Sequence, residues 1–304
     1  MEFQLAADGL AFPEGPAAMA DGSVLVVEIR SGRLVRVSPD GAKTVVAELG
    51  GGPNGAAVGP DGALYVCNNG GLEFADVAPD LAVPGHAPAD YVSGSIQRVD
   101  LTDGSVSTLY DACDGRPLRG PNDIVFDRHG GFWFTDLGKH DEWSRDQGWL
   151  FYAGVDGKSL RRVRGGMFGP NGVGLSPDGT VLYVAETYTG RLWAMEVTGP
   201  GELAPSPLPW APGRLVVTLP GHQMIDSLAV EAGGKVCVAG GPDGGITVID
   251  PDGAHEHVRI PGEVIVTNIC FGGPDLRTAW ITASGSGRLY RAAWPRPGLE
   301  LAFS

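Results

Sequence analysis

The chain has 304 residues and a formal net charge of −14, and its only basic run is Arg161, Arg162 and Arg164. That balance argues against a nucleic-acid partner, which a basic patch normally serves through counterion release. No apolar run approaches the ~20 residues of a membrane span, and the N-terminal MEFQLAADGL lacks the basic and apolar regions of a signal peptide, so no membrane partner and a cytoplasmic location are expected.

Hydrophobic residues at 43% exclude a disordered chain, and 48 Gly and 24 Pro beside many Val, Leu and Ile predict short strands separated by tight turns. In chain order, Glu2–Ala7 comes first as an isolated strand, and six copies of one pattern follow. They open at Glu14 (EGPAAMADG), Asn54 (NGAAVGPDG), Asn122 (NDIVFDRHGG), Asn171 (NGVGLSPDG), Asp226 (DSLAVEAGG) and Asn268 (NICFGGPDL). In each, a turn residue stands seven positions on: Asp21, Asp61, His129, Asp178, Gly233 and Asp275. A second strand follows (SVLVVEI, ALYVCNN, GFWFTDL, TVLYVAET, KVCVAGG, RTAWITAS), then a third that begins at a glycine (GRLVRV, GSIQRV, GWLFYA, GRLWAM, GGITVI, GRLYRA). The first five copies add a fourth strand: KTVVAEL, SVSTLY, SLRRVR, RLVVTL and HEHVRI. The sixth runs out before its fourth, which Glu2–Ala7 can supply.

Such repetition predicts an all-β fold, a six-bladed β-propeller of four antiparallel strands per blade, its ring closed by the N-terminal strand, in one domain over residues 1–304. Trp133, Tyr183, Trp193, Trp280 and Tyr290 are expected to pack between blades. Cys67, Cys113, Cys237 and Cys270 show no CxxC and no zinc-type histidine spacing, so they read as free thiols.

In a propeller the first strand of every blade lines the channel in the same direction. Glu14, Asn54, Asn122, Asn171, Asp226 and Asn268 therefore gather at one mouth, and all carry a carboxylate or an amide. Asn and Asp also serve turns through local hydrogen bonds, but Glu14 is a poor turn former, and converging oxygens are costly to leave unsatisfied. A hard cation would satisfy them, calcium first, with magnesium, manganese or zinc behind it. Two long connections between second and third strands, 70–93 and 138–147, fall on the same face. Glu28, Asn69, Asp136 and Glu186, at the ends of second strands, reach it too, to touch substrate or to cap loops.

The segments FPEGP (12–16), GPNDIVFDRHGGFWFTD (120–136), GPNGVGLSPDG (169–179), DSLAV (226–230) and TNICFGGPDLRTAWIT (267–282) resemble the SMP-30/gluconolactonase/LRE family, whose architecture diisopropylfluorophosphatase and, more distantly, the paraoxonases share. The resemblance spans essentially the whole chain in the family's motif order. It implies a central divalent metal with Glu14, Asn171 and Asp226 as core ligands, and Asn122 at a position that binds the metal or contacts substrate. Two departures stand out. Ser227 follows Asp226 where the family has glycine, and Gly120 stands where some members place an arginine.

The expected chemistry is the opening of a sugar lactone or related small lactone. The metal polarises the carbonyl and Asp226 acts as general base, with direct attack by its carboxylate as the alternative. Asn54, Asn122, Asn268 and the nearby His222 are the candidate substrate contacts. A phosphotriesterase, a lyase and a non-catalytic binding propeller are the alternatives.

Overall fold

The computed structural model describes residues 1–304 as strands and two single-turn 3-10 helices, Thr187–Thr189 and Ser284–Ser286, with no α-helix. Blade 1 is built from Pro13–Ala18, Val24–Glu28, Arg33–Val37 and Lys43–Glu48. Blade 2 uses Pro53–Val58, Leu64–Asn68, Ser95–Val99 and Val106–Tyr110, and blade 3 uses Pro121–Phe126, Phe132–Asp136, Gly148–Ala153 and Leu160–Met167. Blade 4 comprises Pro170–Leu175, Val181–Glu186, Arg191–Gly199 and Arg214–Thr218. Blade 5 comprises Met224–Val230, Val236–Gly241, Gly245–Ile249 and His255–Arg259. Blade 6 has Asn268–Gly272, Thr278–Ala283 and Arg288–Ala293, and its outer strand is Phe3–Ala7 from the N-terminus, antiparallel to Arg288–Ala293. Each first strand touches the next around the axis, and the sixth touches the first, so the ring is closed.

The second strands are apolar almost throughout because each is covered on both faces by neighbouring blades; Val24–Glu28 is buried at every position. The core accordingly lies between blades. Trp133 of blade 3 packs with Val173, Val184 and Trp193 of blade 4, and Trp280 of blade 6 packs with Val24 and Val26 of blade 1. Tyr183 and Tyr290 lie at the 4–5 and 5–6 contacts. All four cysteines are free.

Four features go beyond the repeat. The 70–93 connection is not plain loop but carries a hairpin, Phe74–Ala78 with Leu81–Pro84, turned at Pro79-Asp80. A two-residue strand, Glu202–Leu203, extends blade 4, and a small hairpin pairs Ala112–Cys113 with Arg116–Pro117. The C-terminal residues cross the far end of the channel. Their anchor is the buried Glu231, which accepts from Trp294 Nε1 at 2.7 Å and from Arg296 at 2.5 and 3.0 Å. Phe303 then meets Phe126 edge-on at 5.7 Å, and Leu299–Phe303 with the first strands enclose a cavity of about 350 Å³.

Candidate functional site

Glu14, Asn54, Asn122 and Asn171 each hold the second position of a first strand; Asp226 holds the third and Asn268 the first. In blades 1 to 5 the ladder to the second strand breaks its register here, between Glu14 and Ala17, Pro53 and Ala56, Pro121 and Ile124, Pro170 and Val173, and Ile225 and Leu228. Such irregularities re-aim side chains and recur beside active sites. Only blade 6 keeps an unbroken ladder, with Asn268 opposite Thr282. Crowding at the waist explains the glycines that follow the ring residues. A Cβ on Gly15 (φ 51°) would come within 2.3 Å of Asn54 O, and one on Gly172 within 2.8 Å of Asp226 O.

Five of the six residues are buried, from Glu14 at 2% exposed to Asn54, Asn122 and Asn268 at 6%, while Asp226 keeps intermediate exposure. Glu14 Oε2 accepts from Asn268 Nδ2 at 2.8 Å and from Gly15 N at 2.8 Å. Asn268 Oδ1 accepts from Ile269 N at 2.8 Å, so both ends of that amide are engaged. Ser227 Oγ donates to Asn171 Oδ1 at 3.3 Å, a bond that a glycine after Asp226 would not make. Asn122 Oδ1 is buried with no donor in the chain.

A seventh residue belongs to this group and was not singled out from the sequence. Asp123 is 7% exposed, and its carboxylate accepts from Ile124 N at 2.9 Å and from Val173 N of blade 4 at 3.2 Å. Its signal lies in the aligned repeats, where blades 1, 2 and 4 carry glycine after the ring residue and blade 3 carries an acid. Burial first, then the Glu14 charge, pushes Asp123 up to about 7. Burial likewise raises Glu14, against hydrogen bonds from Asn268 and Gly15. Asp226 is pushed well above the usual carboxylate range by burial and next by the Glu14 charge. Three carboxylates so placed cannot all ionise without a counter-charge. Carboxylates and an unpartnered amide oxygen are the donors a hard cation takes; no group of three or more His, Cys, Asp or Glu side chains forms a metal cluster.

His222 is exposed on the loop entering blade 5. The second-strand residues cap loops. Glu28 accepts from Ala11 N and Ser31 Oγ, and Asp136 accepts from the N–H groups of Arg119, Gly120 and Gly138. Glu186 accepts from Phe168 N, and Asn69 Oδ1 from Gly71 N.

The two insertions form a roof on this face. The 74–84 hairpin reaches blade 1, where Arg30 binds Asp76 at 2.6 and 2.9 Å and Phe12 meets Phe74 at 5.0 Å, and its second strand touches Ser284–Ser286 of blade 6. The blade 3 insertion lays Arg145 over the Tyr188 ring of blade 4 at 3.7 Å. His86 and His140 join the two insertions with ring centroids 5.0 Å apart. None of these contacts involves blade 5, whose corresponding connection is the short turn before Gly245 and whose ring residue is Asp226.

The model of the SMP-30/gluconolactonase/LRE-like region matches residues 12–285. Among relatives, a gluconolactonase of Zymomonas mobilis is 25% identical over 205 residues, 60% of this chain and 51% of that protein. The lactonase drp35 of Staphylococcus haemolyticus is 26% identical over 247 residues, 79% of this chain and 66% of that one. The diisopropyl-fluorophosphatase of Loligo vulgaris is 28% identical over 211 residues, 65% of each. The chain thus spans about half to two thirds of the length of these relatives. A gluconolactonase structure from Xanthomonas campestris superposes with a TM-score of 0.74 at 23% identity, over 96% of this chain and 89% of that one. A regucalcin from Agrobacterium tumefaciens gives 0.72 at 18% identity, over 96% and 95%. Fold, ring motifs and family model agree, and the chain belongs to the SMP-30/gluconolactonase/LRE-like family.

Proposed function

We propose that this chain is a divalent-metal-dependent lactonase that opens a sugar lactone or related small lactone. The observation that carries the reading is the ring whose Glu14, Asp226 and Asp123 carboxylates act on one another and whose Asn122 oxygen is satisfied by nothing in the chain. Glu14, Asn122, Asn171 and Asp226 would hold the cation, calcium first by the all-oxygen donor set. When bound, it supplies Lewis-acid polarisation of the lactone carbonyl and the charge that lets the carboxylates ionise together.

The residues of the chain do the rest. Asn268 and the Gly15 N–H fix Glu14, and Ser227 fixes Asn171. Asp226, the ring residue least removed from solvent, takes a proton from water as that water attacks the carbonyl carbon. The ring C–O bond then breaks, the proton passes to the leaving alkoxide, and a hydroxy acid departs. The likeness to a diisopropyl-fluorophosphatase supports phosphofluoridate hydrolysis as a second reading.

The test strips the protein with chelator, restores calcium, magnesium, manganese or zinc, and follows acid release from γ- and δ-lactones and from diisopropyl fluorophosphate. Metal-dependent acid release from one lactone class is the expected result. Release from the fluorophosphate alone transfers the assignment to the second reading, and metal-independent turnover overturns the metal's role.

A further inference from the structure

A lysine is seldom buried without a carboxylate partner, because its ammonium loses more hydration than neutral oxygens return. Lys139, in the blade 3 insertion, is 6% exposed. Its Nζ donates to Gly71 O at 2.7 Å and lies 3.4 Å from Asn69 Oδ1 and 4.9 Å from the centre of the Tyr91 ring. The acids around it are committed elsewhere: Asp136 to three backbone N–H groups, and Asp146 to Arg119 at 2.9 Å. Burial pulls the Lys139 ammonium down to about 8.

Its place in the fold is next to the ring. Gly138 O would lie 2.6 Å from a Cβ on Gly120, two residues before Asn122, and Asn69 Oδ1 would lie 2.4 Å from a Cβ on Gly52, two residues before Asn54. Lys139 therefore bridges blades 2 and 3 beside the sector that holds Asn54 and the unsatisfied Asn122. In a chain of net charge −14, Lys139 forms no ion pair, and Asp136 is the acid whose charge acts on it.

We propose that Lys139 binds an anionic substituent of the substrate, so that the preferred lactone carries a carboxylate or a phosphate in addition to its ring ester. The inference rests on the lactonase reading and narrows its substrate class. The entering anion gives the ammonium an ionic acceptor where the free protein offers its Nζ only neutral oxygens, and Lys139 is then a specificity residue that leaves the reacting carbonyl to the ring.

The metal-restored protein is assayed on D-gluconolactone, D-glucarolactone and 6-phospho-D-gluconolactone. The wild-type protein should favour one of the two anionic lactones by kcat/KM, and which one wins separates carboxylate from phosphate. Lys139→Met should shrink that preference ~10–100-fold, the range expected for one charge-assisted bond. Lys139→Gln, which keeps a donor toward Gly71 O, provides the same readout if the methionine variant does not fold. A wild-type preference for the neutral lactone overturns the proposal, as does a variant that slows all three substrates alike, the behaviour of a mere staple between insertions. If no lactone is opened, the lactonase reading fails. Calorimetry of the wild-type protein then decides Lys139 separately: glucarate or 6-phosphogluconate should bind more tightly than gluconate, and equal affinities overturn the assignment.

Discussion

Asp226 and Asp123 sit in one group of interacting carboxyls and respond differently to substitution and to pH. Asp226→Asn keeps the shape of the side chain and removes the base, so turnover on the preferred lactone should fall at least ~100-fold. Because burial opposes ionisation of the native carboxyl, the cation-free variant should melt at or above the wild-type temperature; near-wild-type turnover would sink the assignment. Asp123 carries the pH prediction. Its carboxyl lies near 3.8 when unfolded and is pushed up to about 7 in the folded, cation-free protein. Between those values the native state holds a proton that the unfolded state has lost, so stability falls as pH rises through the window and the penalty is complete above about 7. The penalty is on the order of 4 kcal/mol. Melting of the stripped protein should drop from pH 5 to pH 8, and restored calcium should flatten the curve. An unchanged melting temperature in the stripped protein removes Asp123 from the charge cluster.

At the scale of the element, the aligned copies expose almost everything that positions the ring. A turn residue at a fixed distance, a third strand beginning with glycine and an amide or acid opening each copy translate into blades because each copy meets the same neighbours. Gly15 shows how tight that translation is: at φ 51° with Asn54 O in the way, Gly15→Ala should cost about 1–3 kcal/mol in urea unfolding and weaken calcium binding through the adjacent Glu14. Equal midpoints for the two proteins would show that the waist yields. What stayed hidden has no repeat to reveal it. Lys139 looks like an ordinary surface lysine until the roof buries it, and the 74–84 hairpin shows itself only through Pro79-Asp80. Residues 294–304 have no periodicity, and their course is set by Glu231, far away in sequence. The polar ends of the second strands were legible as mouth residues that touch substrate or cap loops, and the choice of capping needed the fold, since only the folded loops bring Ala11, Arg119 or Phe168 N–H groups to them.

Over the whole molecule, Phe3–Ala7 covers an edge that would otherwise be open along Arg288–Ala293. Deleting residues 2–7 should leave blade 6 with an unpaired outer strand, the kind of edge that recruits other chains. Size-exclusion chromatography should then show oligomers or aggregates despite the charge of −14. A stable monomer with the wild-type melting temperature would mean that three strands suffice for that blade.

The same pairing has a consequence during synthesis. Synthesis runs from N- to C-terminus, so of the propeller's strands the first one made is the last to find its place. At ~5–20 residues per second, Phe3–Ala7 waits on the order of 15–60 s for Arg288–Ala293 to appear. Glu14 waits for Asn268 over almost the same stretch. Until then five blades can stand while the sixth position is vacant and the first carboxylate of the ring lacks its clamp. Closure of the circle and clamping of Glu14 therefore fall together at the end of synthesis, and a product truncated before blade 6 would have neither.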